Sequence, residues 1–284
     1  MPNEIRIPSP SFAPLRSRLK GSVMDDPFTR GRYATDASIY QMMPHAVVVP
    51  ETLGDVEATL DFAREQGIAV LPRGGGTSQC GQTVNHAVVI DSSKHLNRIL
   101  ELDVEGRRCL VEPGIVLDEL NRQLKPHGLW FPVDVSTSSR ATIGGMAGNN
   151  SCGGRSIRYG MMRDNVTAID AILSDGSTAR FGDVASTSPS GLLKELQPRL
   201  LAMGKTYGAD ILDGFPKVLR RVGGYNVDAL IPDAMAMRPG GAVGDGINLS
   251  HLLVGSEGTL AYSTAIELKL WPLPAKKIMG ICHF

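Results

Sequence analysis

The sequence predicts an α+β chain of two lobes: a small α/β lobe with parallel strands, then a larger lobe whose antiparallel sheet is flanked by helices. Three stretches carry that expectation. Residues 46–71 alternate strand, helix and strand. Residues 168–181 read as a hairpin, and residues 260–270 as a long strand with rough alternation.

Taken in order, residues 1–44 are rich in Pro, Ser and Arg and have weak periodicity. They predict an arm with one short helix around Ala34 to Tyr40. Ala46, Val47, Val48 and Val49 form an apolar, mostly β-branched run ended by Pro50, the signature of a buried strand. A helix over 52–66 follows, with Val56, Leu60 and Ala63 on one face. Thr52 suits its N-cap, Asp55 its first turn, and Gly67 its C-terminal stop. Residues 68–71 are a second strand, running directly into Pro72, Arg73, Gly74, Gly75, Gly76, Thr77 and Ser78. Residues 88–91 are a third strand, and 110–114 a short strand ending in a turn. A helix over 116–125 stops before Pro126, and Trp130, Phe131 and Pro132 follow. In the second half, strands over 168–173 and 178–181 flank the turn at Asp175 and Gly176. Helices are expected over 192–201 and 216–221, with a glycine-rich loop over 238–248.

Composition narrows the function. Of 284 residues, 42% are hydrophobic and 20% charged, as in an ordinary globular protein. Lys plus Arg equals Asp plus Glu at 29 each, so the balance advertises no partnership with nucleic acid or anionic lipid. No apolar run approaches membrane-spanning length, and a cytoplasmic protein is the expectation. Cys80, Cys109, Cys152 and Cys282 form no C-x-x-C pair, so neither a zinc nor an iron–sulfur site is expected from these residues alone.

Three glycine-bearing segments carry chemistry. The run Gly74 to Ser78 follows a strand. Consecutive glycines admit positive φ and remove side-chain bulk, so successive N–H groups can turn into one concavity that suits a pyrophosphate. A tight turn that binds nothing is the alternative, and the spacing fits neither the dinucleotide fingerprint nor the P-loop. The second segment is Thr142, Ile143, Gly144, Gly145, Met146, Ala147, Gly148, Asn149, Asn150, Ser151, Cys152, Gly153 and Gly154. It has no charge, five Gly and two Asn, and is expected to form an irregular loop offering backbone donors and acceptors to a flat polar ring. The third, Gly255-Ser256-Glu257-Gly258-Thr259-Leu260, precedes the last long strand; a plain β-turn is its alternative.

In order and rough spacing these three segments, with Val111-Glu112-Pro113-Gly114, resemble the FAD-linked oxidases of the vanillyl-alcohol oxidase and p-cresol methylhydroxylase superfamily. The resemblance runs from about Ala46 to Trp271. The longer string from Arg73 to Gln82 is similar to bacterial D-2-hydroxyglutarate and D-lactate dehydrogenases with a fused iron–sulfur region. The resemblance implies a two-lobed FAD-binding domain of the p-cresol methylhydroxylase type: an arm at 1–44, a first lobe at 45–106 and a second at 107–274. Residues 275–284 would open a substrate lobe, and the chain would be an N-terminal piece of a longer polypeptide. Any iron–sulfur cluster would lie in that further region.

By the same resemblance, the backbone of Arg73, Gly74, Gly75, Gly76, Thr77 and Ser78 holds the pyrophosphate, with Gly81 and Gln82 nearby, and Pro72 is a further cofactor-binding residue. Pro132 and Thr142, Ile143, Gly144, Gly145, Gly148, Asn149, Asn150 and Ser151 wrap the ribityl chain and ring. Ile169, Ile172, Glu257 and Gly258 close the adenine side. Relatives often carry Asn where Met146 stands and Ala-Gly where Ser151-Cys152 stands. Relatives with covalent flavin use a His where this chain has Thr77, so the FAD is expected to be non-covalent. The implied activity is oxidation of a D-2-hydroxy acid (lactate, 2-hydroxyglutarate or glycolate class) by hydride transfer to flavin N5. The alternatives are a cofactor-binding module without turnover and a sugar-nucleotide reductase of the same flavin fold. The partners implied are a small 2-hydroxy acid and an electron acceptor: a quinone, an iron–sulfur centre or an electron-transfer protein, the last consistent with a peripheral inner-membrane location. No base or carboxylate clamp stands out in the sequence. His251, Arg155 and Arg158 are the side chains to test first, with surface or structural roles as their alternative.

Overall fold

The computed structural model describes residues 10–218, 220–232, 246–276, 278 and 280–283. The arm contributes α1 (Ala13–Arg16), β1 (Ser22–Met24) and α2 (Pro27–Arg32). β2 (Ala46–Val49), α3 (Leu53–Gln66), β3 (Val70–Arg73) and β4 (Val88–Asp91) follow. The strand order is β1-β2-β4-β3, with β2, β4 and β3 parallel and β1 an antiparallel edge. The β2–α3–β3 crossover therefore spans the place that β4 later fills. β2 and β4 are buried on both faces, which is why their sequences are unbroken apolar runs rather than alternating ones.

α3 begins and ends where its caps dictate. Thr52 Oγ1 accepts from the Asp55 N–H at 3.3 Å, Asp55 accepts in return from the Thr52 N–H, and Gly67 closes the helix with φ 64°. Buried Asp55 also accepts from the N–H groups of Lys20 and Gly21, which pins the arm to the helix start. The helix expected around Ala34 to Tyr40 does not form. Asp36 and Ser38 instead accept from the N–H groups of Ser38 and Tyr40, diverting the backbone into local turns. The helix lies earlier, at α2, where Asp26 caps Thr29 and Pro27 sits in the first turn.

The second sheet is built from β5 (Ile99–Asp103), β6 (Arg108–Val111), β8 (Val166–Ile172), β9 (Thr178–Phe181) and β10 (Tyr262–Lys269), in the order β5-β6-β10-β8-β9 and antiparallel throughout. β7 (Leu129–Trp130) pairs with β11 (Trp271–Pro272) beside it. Against this sheet lie α4 (Leu117–Leu124), α5 (Ile143–Asn149), α6 (Ser156–Tyr159), α7 (Met162–Asn165), α8 (Leu193–Gly214) and α9 (Ser250–Leu253). The main core joins Val111, Ile115, Leu120, Phe131, Ile143, Met162, Ile169, Ile266 and Leu268.

Two further expectations are corrected by the structure. The stretch from Thr142 to Ser151 is not an irregular loop: seven of its residues form α5. The described residues of 216–221 are irregular, because α8 runs on to Gly214 and Phe215 and Pro216 end it. The glycine-rich stretch at 238–248 falls largely outside the described residues. No described helix is long and apolar enough to cross a membrane.

Candidate cofactor site

A cleft with about 1060 Å³ of open space lies between the C-terminal end of β3, the start of β10 and α5. Three separated segments meet there. Pro72 to Ser78 form one wall, Ala141 to Asn149 with Ser151 a second, and Ser256 to Gly258 with Ala261, Tyr262 and Ser263 the third.

The first wall is a turn whose N–H groups stay open. Among the described residues, no N–H of Gly75, Gly76, Thr77 or Ser78 donates to a protein acceptor. Of the triplet only Gly76 has positive φ, at 64°. Gly74 and Gly75 are required for a different reason, which corrects the sequence argument. A Cβ on Gly74 would lie 2.0 Å from Thr142 Oγ1, and one on Gly75 would lie 2.3 Å from the Arg140 carbonyl oxygen. The glycines let the two lobes close on each other.

The second wall inverts the first. Thr142 caps α5 and Asn150 ends it in the left-handed region, at φ 51°. Ile143, Met146 and Ala147 give the helix a buried face at i, i+3 and i+4. Its first N–H groups are all engaged: Ile143 donates to the Ile115 carbonyl, Gly144 to the Pro113 carbonyl at 2.7 Å, and Gly145 to Thr142 Oγ1. The helix thus offers the cleft no free N-terminal donors. It offers a low, flat face of Gly144, Gly145 and Gly148, with Asn149 and Ser151 at its end. Gly144 has to be glycine because a Cβ would meet Pro113 Cβ at 2.7 Å.

The third wall is stitched to the end of α5. Gly255 donates to the Ala147 carbonyl and Glu257 to the Gly148 carbonyl. Glu257 adopts φ 53°, unusual for a residue with a side chain. Across the cleft, Gln82 Nε2 donates to Glu257 Oε1 at 3.4 Å. In the floor, the Tyr262 and Ser92 hydroxyls lie 2.6 Å apart. Burial pushes the Tyr262 hydroxyl up to about 12, so it stays protonated.

Among the described residues, two charged side chains, Arg73 and Glu257, line this cleft. Arg73 lines the cleft, and its guanidinium donates to the carbonyls of Tyr33, Thr35 and Thr83, while burial pushes its pKa down. Gly81, Pro132, Ile143 and Asn150 do not line the cleft. Gly81 backs onto Tyr40, and Pro132 and Ile143 are buried. Buried Asn150 holds the second wall: its Oδ1 accepts from the Arg163 N–H at 3.0 Å. Ile169 and Ile172 likewise point into apolar clusters. Arg155 stacks on Trp130 with Asp134 beside it, Arg158 lies over Tyr159, and His251 sits in α9, all outside the cleft lining. Cys80 and Cys152 do not line it either. Sequence reasoning passed over Ser92, Pro113, Thr137, Tyr262 and Ser263, which carry no glycine signal.

Nor did the sequence reveal the buried ion-pair network behind the second wall. Asp228 accepts from Arg163 Nη1 at 2.8 Å and Arg221 Nη2 at 2.6 Å. Asn226 joins this pair to the Val254 carbonyl, two residues before the third wall begins. Burial alone would raise the Asp228 carboxyl, but the two arginines outweigh it and hold it low.

The donor set suits FAD. An open anion nest with the Thr77 and Ser78 hydroxyls stands at one end of the cleft, and a flat glycine face stands along it.

Residues 44–182 match the family described as FAD binding domain. The chain is 37% identical over 261 residues to D-2-hydroxyglutarate dehydrogenase of Pantoea ananatis (strain AJ13355), covering 87% of this chain and 24% of that protein. The corresponding enzyme of Escherichia coli (strain K12) is 36% identical, covering 85% and 24%. Glycolate oxidase subunit GlcD of Bacillus subtilis (strain 168) is 30% identical, covering 86% and 41%. This chain spans about a quarter of the length of the dehydrogenases it matches. Among solved structures, an alkyldihydroxyacetonephosphate synthase superposes with a TM-score of 0.62 at 20% identity, covering 89% of this chain and 38% of that one. Physcomitrella patens BBE-like 1 superposes at 0.61 and 13% identity, covering 93% and 45%. Likeness at that identity establishes the two-lobed fold.

Proposed function

We propose, from the match of residues 44–182 to the FAD binding domain family, that the cleft holds FAD non-covalently and serves a dehydrogenase that oxidises a D-2-hydroxy acid to the 2-oxo acid. The observation that carries the cofactor assignment is the meeting of the open turn at Gly75 to Ser78 with the flat glycine face of α5. The substrate class rests on the D-2-hydroxyglutarate dehydrogenases to which the chain is similar.

In this reading the first lobe (45–106) directs its N–H groups and the Thr77 and Ser78 hydroxyls at the pyrophosphate. The second lobe (107–274) lays Gly144, Gly145 and Gly148 along the ring system, with Asn149 and Ser151 as polar contacts. Pro72 packs against Gly258 and closes the gap between the first and third walls. Bound flavin supplies a two-electron acceptor for the hydride leaving Cα. The residues described here bind and orient the cofactor and exclude water from one of its faces. Thr77 stands where covalent relatives have His, and no cysteine lines the cleft, which supports a dissociable cofactor. The electron acceptor belongs to the quinone, iron–sulfur or electron-transfer-protein class.

The test begins with FAD titration of the chain, followed by acid precipitation. Flavin in the supernatant is expected, and yellow colour in the pellet would refute non-covalent binding. Anaerobic mixing of the FAD-loaded full-length protein with D-2-hydroxyglutarate, D-lactate and glycolate, against NADPH, then reads flavin bleaching. Bleaching by NADPH alone would replace the dehydrogenase reading with the reductase one.

A further inference from the structure

Arg73 is the one cation in the cleft wall among the described residues, yet its donors are engaged by backbone carbonyls. Nη1 donates to the Tyr33 carbonyl at 3.1 Å and the Thr83 carbonyl at 2.9 Å, and Nη2 donates to the Thr35 carbonyl at 2.8 Å. The guanidinium lies over the Tyr33 ring, 5.1 Å from its centroid. The Tyr33 hydroxyl in turn donates to Asp91 Oδ2 at 2.6 Å, and Asp91 is the register partner of Arg73 on the neighbouring strand. A Cβ on Gly76 would lie 2.7 Å from Arg73 Nη2, so the guanidinium packs against the back of the left-handed residue of the turn.

We propose that Arg73 is a positioning residue that fixes the Gly75–Ser78 turn from behind by tying it to Tyr33 and Thr35 of the N-terminal arm, so that FAD binding and docking of the arm stabilise each other. The proposal rests on the reading that this cleft holds FAD. A half-buried guanidinium needs its acceptors, because a desolvated donor without them is costly. Two of its three carbonyls, and the ring it covers, come from the arm. Undocking the arm therefore removes the reason for Arg73 to lie behind Gly76, and the turn loses its backing. A ligand that binds only the backed turn must, by linkage, hold the arm down by the same factor.

The arm carries its own reporter. Arg32 is exposed, ends α2 and immediately precedes Tyr33, so trypsin cleavage at Arg32 reads arm undocking. In the wild type, FAD is expected to slow that cleavage. In Arg73→Gln, FAD is expected to bind roughly tenfold more weakly, as the loss of buried hydrogen bonds implies, with Arg32 cut faster and saturating FAD no longer protecting it. Arg73→Lys is expected to resemble Arg73→Gln, since a point charge keeps a phosphate contact but does not reproduce the fork on three carbonyls. Tyr33→Ala, outside the cleft lining, is expected to weaken FAD too, and the double variant with Arg73→Gln to be no weaker than Arg73→Gln alone. Wild-type affinity in Arg73→Lys, additive losses in the double variant, or protection of Arg32 by FAD in Arg73→Gln would overturn the proposal. So would wild-type protein that binds FAD while Arg32 cleavage stays unchanged, a result that needs no variant to fold. Failure of the wild type to bind FAD at all would instead remove the cofactor reading, and this proposal with it.

Discussion

Two glycine-rich segments face each other across the cleft, and they fold in opposite ways. The turn at Gly74 to Ser78 leaves four N–H groups open, whereas the segment from Ile143 to Asn149 coils into a helix with its first-turn donors engaged. Glycine content does not separate them. The helix has what the turn lacks: a threonine cap, an asparagine able to end it in the left-handed region, and three apolar side chains spaced for one buried face. Glycine in a helix interior costs roughly 1 kcal/mol relative to alanine. At Gly144 that cost is offset by close packing, since Pro113 lies where a Cβ would stand. One segment spends its first-turn donors inside the fold and the other leaves its donors open, so substitutions should sort into stability and affinity effects.

The largest expected effect breaks the packed side. Asp228→Ala deprives fully buried Arg163 of its carboxylate and should destabilise the fold by about 3–5 kcal/mol, read from denaturant midpoints. The same ion pair sets an acid limit. Asp228 ionises at lower pH in the folded than in the unfolded chain, so its contribution is complete above the usual carboxylate range near 4 and fades as pH falls through the lower folded value. Wild-type stability should therefore drop in acid more steeply than that of Asp228→Asn. Next comes Gly75→Val, whose Cβ would strike the Arg140 carbonyl oxygen. It should abolish FAD binding by forcing the lobes apart, at a cost of about 1–3 kcal/mol in stability. Thr142→Ala removes the α5 cap and should cost about 1 kcal/mol in thermal or chemical unfolding. The smallest effect should sharpen the contrast. Thr77→Ala should leave stability within about 0.5 kcal/mol while weakening FAD by the worth of one hydrogen bond, about 0.5–1.5 kcal/mol, measured by titration calorimetry. Equal stability losses in Thr77→Ala and Thr142→Ala would erase the distinction between the two segments.

What could be read from the sequence follows the same division. Strands β2 and β4, helix α3 with its caps, the hairpin of β8 and β9, and the long strand β10 announce themselves because local pattern and tertiary environment agree. The loop after β3 was legible as a turn from its glycine run, which by itself left an anion nest and a turn that binds nothing both open. α5 was not, because its three glycines argue against a helix locally and mask the cap at Thr142, the stop at Asn150 and the apolar spacing of Ile143, Met146 and Ala147. The same holds for Arg73, whose acceptors are backbone carbonyls of residues 33, 35 and 83. Carbonyls leave no mark in a sequence. Ser92 and Tyr262 meet only because β10 reaches the cleft floor, and the Arg163–Asp228–Arg221 network joins residues that no short motif connects.

The placement of β10 has a consequence in time. It is the middle strand of its sheet, hydrogen-bonded to β6 on one side and β8 on the other, yet it is the last of the five to be synthesised. Until residue 269 leaves the ribosome, β5–β6 and β8–β9 are two separate hairpins, each with an unpaired inner edge open to other chains. Joining them is a long-range closure, the slow kind of folding step. Tyr262 and Ser263 arrive with that strand, so the floor of the cleft is laid last and flavin loading must follow completion of the sheet rather than guide it.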